Sequence, residues 1–118
     1  MQGAFQEHFS FLANLRITPP VKPLLVKTAE DLERCSALII PGGESTTMAI
    51  VARSNGLLEP LRAFVKEKPV WGTCAGAILL ADGGVVSAKK GGQEVLGGIG
   101  IKIKRNGWGS QACLYSIV

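Results

Sequence analysis

Apolar residues in this chain fall into two kinds of run, some at helical spacing and some continuous, and the two kinds alternate along the sequence. Phe5, Phe9, Leu12 and Arg16 recur every three or four positions with Gln6, Glu7 and Asn14 between them, which predicts an amphipathic helix from about Ala4 to Arg16. Pro19, Pro20 and Pro23 then force a loop, and Leu24-Leu25-Val26 reads as a short strand. Thr28-Ala29-Glu30-Asp31 resembles a capping box and predicts a helix ending near Cys35. Ala37-Leu38-Ile39-Ile40 is an unbroken apolar run, the mark of a parallel strand covered on both faces. Pro41-Gly42-Gly43 stops it.

Helical periodicity resumes through Met48, Ile50 and Val51, breaks near Asn55-Gly56, and continues at Leu58, Leu61, Phe64 and Val65, with Pro60 acceptable in a first turn. Pro69 to Gly72 predicts another strand, and Ala75 to Ala81 another helix. Beyond a Gly- and Lys-rich loop from Asp82 to Gln93, Ile99, Ile101 and Ile103 alternate with Lys102 and Lys104, as in a strand with one buried and one wet face. Strands alternating with helices predict an α/β fold built on an open, mostly parallel sheet with helices on both faces. Right-handed crossovers then put the loops after Ile40 and after Gly72 at the same carboxyl edge, where such sheets bind ligands.

Length and composition narrow the picture. With 118 residues and 47% hydrophobic content, residues 1–118 are expected to form one globular domain. The apolar runs are far shorter than the ~20 residues needed to cross a bilayer. Met1 to Ser10 has no basic patch followed by an apolar core, so no secretory signal is expected and the expected location is cytoplasmic. A net charge of +4, with Lys89, Lys90, Lys102, Lys104 and Arg105 gathered late in the chain, comes without an aromatic stripe, so the expectation is a solvated face and no nucleic-acid partner. Three widely spaced cysteines, Cys35, Cys74 and Cys113, fit neither a disulfide framework nor a zinc site, and no metal is expected.

One of the three stands in a chemical setting. Gly72-Thr73-Cys74-Ala75-Gly76, between a strand and an apolar helix, has the G-x-nucleophile-x-G form of a nucleophile elbow with cysteine in place of serine. Glycines flanking so sharp a turn remove Cβ atoms that would collide with the strand and the helix. The helix start favours the reactive thiolate, and the Ala75 N–H can face an oxyanion. The bland alternative is a small buried cysteine beside two packing glycines. Pro41-Gly42-Gly43-Glu44-Ser45-Thr46-Thr47 follows the neighbouring strand; its amides either complete an oxyanion hole or simply form a turn before a helix capped by Ser45 or Thr46. A phosphate loop fits less well, because the Walker spacing and its lysine are absent.

Taken together, Gln2-Gly3-Ala4-Phe5, Leu38 to Thr47, Leu57-Leu58-Glu59-Pro60-Leu61-Arg62, Gly72-Thr73-Cys74-Ala75-Gly76, Leu96-Gly97-Gly98 and Arg105 to Gln111 resemble the PdxT/SNO family. These are the glutaminase subunits of pyridoxal 5'-phosphate synthase, with a flavodoxin-like, class I glutamine amidotransferase-like fold. The resemblance implies hydrolysis of L-glutamine to L-glutamate and ammonia for vitamin B6 synthesis, and a synthase subunit as protein partner. Pyridoxal phosphate is then the pathway's product, and no cofactor is expected. It implies Cys74 as nucleophile forming a glutamyl thioester, Gly43 and Ala75 N–H groups as oxyanion hole, and Gly42, Gly43, Glu44 and Arg105 as glutamine contacts.

The departures carry expectations of their own. The family's triad is completed by a His-x-Glu pair near the end of a longer chain; here His8 is the sole histidine, either a substitute base or an ordinary helix-face residue. Activity is therefore expected to be impaired. The segment Ala112 to Val118 also leaves the family pattern, and the family's strand before Gln-Gly-Ala has no counterpart, so the sequence resembles a domain shortened at both ends. In the flavodoxin-like strand order 2-1-3 that strand is internal, and marginal stability is expected without it. Two other functions stay open: a non-catalytic chain that docks on the synthase, and another cysteine hydrolase of the same fold.

Overall fold

The computed structural model describes residues 4–83, 85–86 and 93–104. The Gln2-Gly3 pair, Arg105, Cys113 and most of the Gly- and Lys-rich loop lie outside the described residues. Helix α1 spans Ala4–Asn14. Phe5, Phe9 and Leu12 are half-buried as their spacing predicts, whereas Phe11 between them is 68% exposed. No strand forms at Leu24-Leu25-Val26, a correction to the sequence reading. A strand persists only where a neighbour accepts its ladder bonds. Among the described residues no strand lies alongside this one, and Leu24 and Leu25 remain exposed.

Helix α2, Ala29–Glu33, begins with the capping box the sequence announced: Thr28 Oγ1 accepts from the Asp31 N–H at 3.2 Å and Asp31 Oδ2 accepts from the Thr28 N–H at 3.1 Å. Strand β1 is Leu38–Ile40. Helices α3, Ser45–Ser54, and α4, Leu58–Glu67, are separated at Asn55-Gly56, where Gly56 takes a φ of 68°. Strand β2, Val70–Gly72, pairs parallel with β1, with Ile40 opposite Gly72. Helix α5 is Ala75–Leu79, two residues shorter than expected because Ala81 bridges to Ile99 instead. Strands β3, Val85–Val86, and β4, Ile103–Lys104, form a second parallel pair.

The α/β class and the parallel pairing agree with the sequence reading. Two details of burial do not. On α3 the apolar spacing pointed to Met48, Ile50 and Val51, yet Ile50 is 58% and Val51 42% exposed. The inward stripe is Ser45, Met48, Ala49 and Ala52, small residues for the most part, and they let α3 approach α5 closely. Ile99 and Ile101 were expected on a buried strand face, yet both are exposed and only Ile103 belongs to a strand, because the described residues place no layer over them.

The core gathers Ile40, Ala49, Leu58, Leu79, Leu80 and Leu96, with Leu38, Val65 and Val70 packed around it. Leu96 is brought in from far along the chain by a clamp on α4. Arg62 donates from Nε at 3.1 Å and from Nη2 at 3.0 Å to the Val95 carbonyl, and the Leu96 N–H donates to the Leu79 carbonyl at 2.6 Å. All of this lies on the face of β1 and β2 that carries Leu38, Ile40 and Val70. Trp71, which points the other way, is 67% exposed.

Candidate active site

The β1–β2 register decides the site. With Ile40 opposite Gly72, the chain leaves both strands at one edge, and the Thr73 N–H extends the ladder by one more bond, to the Ile40 carbonyl at 3.0 Å. Pro41-Gly42-Gly43 and Thr73-Cys74-Ala75 are thereby set side by side. A methyl group on Gly42 would lie 3.3 Å from the Cys74 Cβ and 3.8 Å from its Sγ, so the glycine turn faces the thiol side chain with no room to spare for a larger residue.

Cys74 has φ 53° and ψ −115°, and among the described residues it is the one non-glycine with positive φ. Such a backbone costs about 1–3 kcal/mol and persists only where the surroundings dictate it. Those surroundings are glycine-lined: a methyl on Gly72 would come within 2.5 Å of the Gly76 carbonyl carbon, and one on Gly76 would overlap the carbonyl oxygen of Ile40. Strand and helix thus meet backbone to backbone on either side of the cysteine, and its side chain turns outward. Cys74 is exposed, contrary to the reading of a small buried hydrophobe. Cys35 is half-buried, with its thiol donating to the Asp31 carbonyl at 3.3 Å.

Two amides of these adjoining turns carry no intramolecular bond: neither the Gly43 N–H nor the Ala75 N–H donates a hydrogen bond among the described residues, and Gly43 takes a φ of 152°, which a side chain would disfavour. Helix α5 has five residues, so it brings no long helix dipole to Cys74.

The N-cap of α3 differs from the expectation of Ser45 or Thr46. Glu44 caps it: Oε2 accepts from the Thr47 N–H at 2.6 Å and the Thr47 hydroxyl at 2.8 Å, and Oε1 accepts from the Thr46 N–H at 3.2 Å. Ser45 is instead the first helical residue, 2% exposed, and its Oγ has no partner among the described residues. The Thr47 N–H first, then its hydroxyl and the Thr46 N–H, hold the Glu44 carboxyl down to about 2.

A depressed carboxyl contributes stability at pH values above its unfolded value, and that contribution disappears as pH falls through the folded one. The Glu44 cap is therefore expected to be complete above about pH 4.5 and lost toward about pH 2. Unfolding free energies of the wild type and Glu44→Ala from urea melts should differ at neutral pH by about 1 kcal/mol, the scale of a helix cap. The gap should close across that acid window. Asp31, lowered mainly by the Lys27 N–H, titrates in the same direction, but equally in both proteins.

The sequence left His8 open between a substitute base and an ordinary helix-face residue. His8, on α1, places Nε2 3.4 Å from Thr73 Oγ1. The two residues are 65 positions apart, and nothing in their spacing announces the contact. Of the residues proposed from sequence, Gly42, Gly43, Glu44, Cys74 and Ala75 come together at this edge, while Arg105 lies outside the described residues.

Comparison with known proteins agrees with this geometry. The SNO glutamine amidotransferase family matches residues 1–116. A protein of Arabidopsis thaliana named probable pyridoxal 5'-phosphate synthase subunit PDX2 is 50% identical over 112 residues, covering 94% of this chain and 42% of that protein. Pyridoxal 5'-phosphate synthase subunit SNO1 of Saccharomyces cerevisiae is 42% identical over 118 residues, covering 95% of this chain and 52% of that one. A solved structure of a glutamine amidotransferase aligns with a TM-score of 0.74 at 40% identity, covering 93% of this chain and 56% of the other. The chain spans about half the length of the curated relatives it matches. The strained cysteine turn, the glycine turn against it and the strands that set them side by side all lie within the matched span, and the chain belongs to the SNO glutamine amidotransferase family.

Proposed function

We propose that this chain forms the thiol half of a glutaminase that supplies ammonia for pyridoxal 5'-phosphate synthesis in the cytoplasm, working with a synthase subunit as its partner. The observation that carries this reading is Cys74, exposed on a strained turn beside the glycine turn at Gly42. Cys74 Sγ attacks the side-chain carboxamide carbon of L-glutamine. The carbonyl oxygen gains negative charge opposite the N–H groups of Gly43 and Ala75. The C–N bond then breaks, ammonia leaves with the proton the thiol gave up, and water cleaves the thioester to L-glutamate, returning the thiol. Gly42, Gly43, Glu44 and Arg105 are the proposed glutamine contacts, Glu44 acting at least through the cap that shapes the turn.

These 118 residues, taken as one domain, contain no His-x-Glu pair. A positioned acid–base group contributes typically ~10²–10⁴-fold, so turnover by these residues alone is expected to be slower by about that factor. The test therefore reads the first step. A chloroketone analogue of glutamine should modify Cys74 stoichiometrically, with L-glutamine protecting and Cys74→Ala abolishing the modification. Iodoacetamide labelling of Cys74 without analogue labelling would instead favour another cysteine hydrolase of this fold. Co-purification with the synthase subunit without analogue labelling would favour a non-catalytic docking chain.

A further inference from the structure

His8 sits where the reaction above gives it no part. It belongs to α1, a helix that makes no extensive packing with another described element and leaves Phe11 68% exposed. Its imidazole Nε2 nevertheless lies 3.4 Å from the hydroxyl of Thr73, the residue immediately before the nucleophile. Among the described residues this is the one side-chain hydrogen bond made by the elbow, residues 72–76. Side chains alternate along an extended strand, so Thr73 shares a face with the exposed Trp71, opposite the core. Helix α1 thus reaches the elbow from the side that the core does not support.

We infer that His8 is a positioning residue for Cys74: it anchors the Thr73 hydroxyl and so holds the strained turn that presents the thiol. A residue at φ 53° relaxes unless its neighbours forbid it. Two of the restraints on Thr73 are local to the sheet and the helix, its N–H to the Ile40 carbonyl and its carbonyl to the Gly76 N–H at 2.9 Å. They hold the main chain at Thr73 but leave its side chain to rotate. The third, through His8, comes from a different part of the molecule, and it makes the seating of α1 a determinant of how Cys74 points. This rests on Cys74 being the presented nucleophile of the proposed function, but not on glutamine being its substrate.

The experiment measures alkylation of Cys74 at fixed pH, resolved by peptide mass spectrometry, with iodoacetamide and separately with the glutamine chloroketone. It compares wild type, His8→Ala, His8→Gln, Thr73→Val and the double variant His8→Ala/Thr73→Val. His8→Ala and Thr73→Val should each slow Cys74 roughly 3- to 10-fold, the scale of one net hydrogen bond. The double variant should be no slower than either single one, since both remove the same contact. His8→Gln, whose amide can meet the Thr73 hydroxyl, should recover a rate within about 2-fold of wild type, because it restores most of that bond. Half-buried Cys35, alkylated in the same reaction, should keep its rate, which general loosening of the fold would raise.

Unchanged Cys74 rates in both single variants overturn the inference, as does multiplication of their effects in the double variant. A His8→Gln rate as low as that of His8→Ala overturns it too. If iodoacetamide modifies Cys74 while the chloroketone does not, the glutaminase reading fails and the iodoacetamide rates alone decide the role of His8.

Discussion

Gly76→Ala is expected to lower the stability of the protein by about 2 kcal/mol, although alanine is the better helix former by roughly 1 kcal/mol. The added methyl would overlap the backbone carbonyl oxygen of Ile40 and press on its carbonyl carbon and side chain. That carbonyl accepts the Thr73 N–H, so it cannot withdraw without loosening the ladder that aligns the two turns. Overpacking of this kind costs typically 1–3 kcal/mol, and contact with main chain belongs at the upper end. The helix-propensity gain offsets only part of it. In thermal unfolding the midpoint should fall by roughly 8 °C for a chain of this size. Gly100→Ala is the control, since a methyl there meets nothing within 4 Å and no positive φ is involved; it should be neutral or slightly stabilising. Equal melting temperatures for the two variants would mean that strand and helix do not meet at Gly76.

Gly43→Ala should slow modification of Cys74 by the glutamine chloroketone by ~10²-fold, the scale of losing one oxyanion donor. A φ of 152° is strained for alanine whatever space surrounds it, so the turn relaxes and the Gly43 N–H leaves the position the proposed oxyanion hole requires. Iodoacetamide develops no oxyanion, and its rate at Cys74 should change by less than about 3-fold, because only the oxyanion donor has been displaced. That ratio separates a lost donor from a displaced thiol: parallel slowing of both reagents would mean that the turn merely supports Cys74. Stability should drop by about 1 kcal/mol at most, because the turn is exposed and can readjust.

The site was more legible in the sequence than the packing around it. Gly72-Thr73-Cys74-Ala75-Gly76 announces an elbow because the required backbone is so restrictive that only a few residue types tolerate it. The structure bears this out in the angles at Cys74 and in the lack of room for a methyl at Gly72 and Gly76. The capping box at Thr28 was equally readable, being a contact between residues three apart. The cap of α3 was assigned to the wrong residue, since serine and threonine are the usual caps and the reach of the Glu44 carboxylate back to Thr46 and Thr47 is a matter of conformation. Ile50, Val51, Ile99 and Ile101 were expected inside on periodicity alone, which tells which residues share a face but not whether another layer covers it.

Local chemistry settled most of the elements, the capping box at Thr28, the break at Gly56 and the strained turn at Cys74, because each depends on the backbone freedom of a few adjacent residues. The tertiary structure decided what meets what. The parallel register of Ile40 with Gly72 lays one turn against the other, the small-residue face of α3 turns inward, and His8 arrives beside Thr73 from the far end of the chain. Contacts between residues dozens of positions apart are set by how layers pack, and no short-range pattern carries that information.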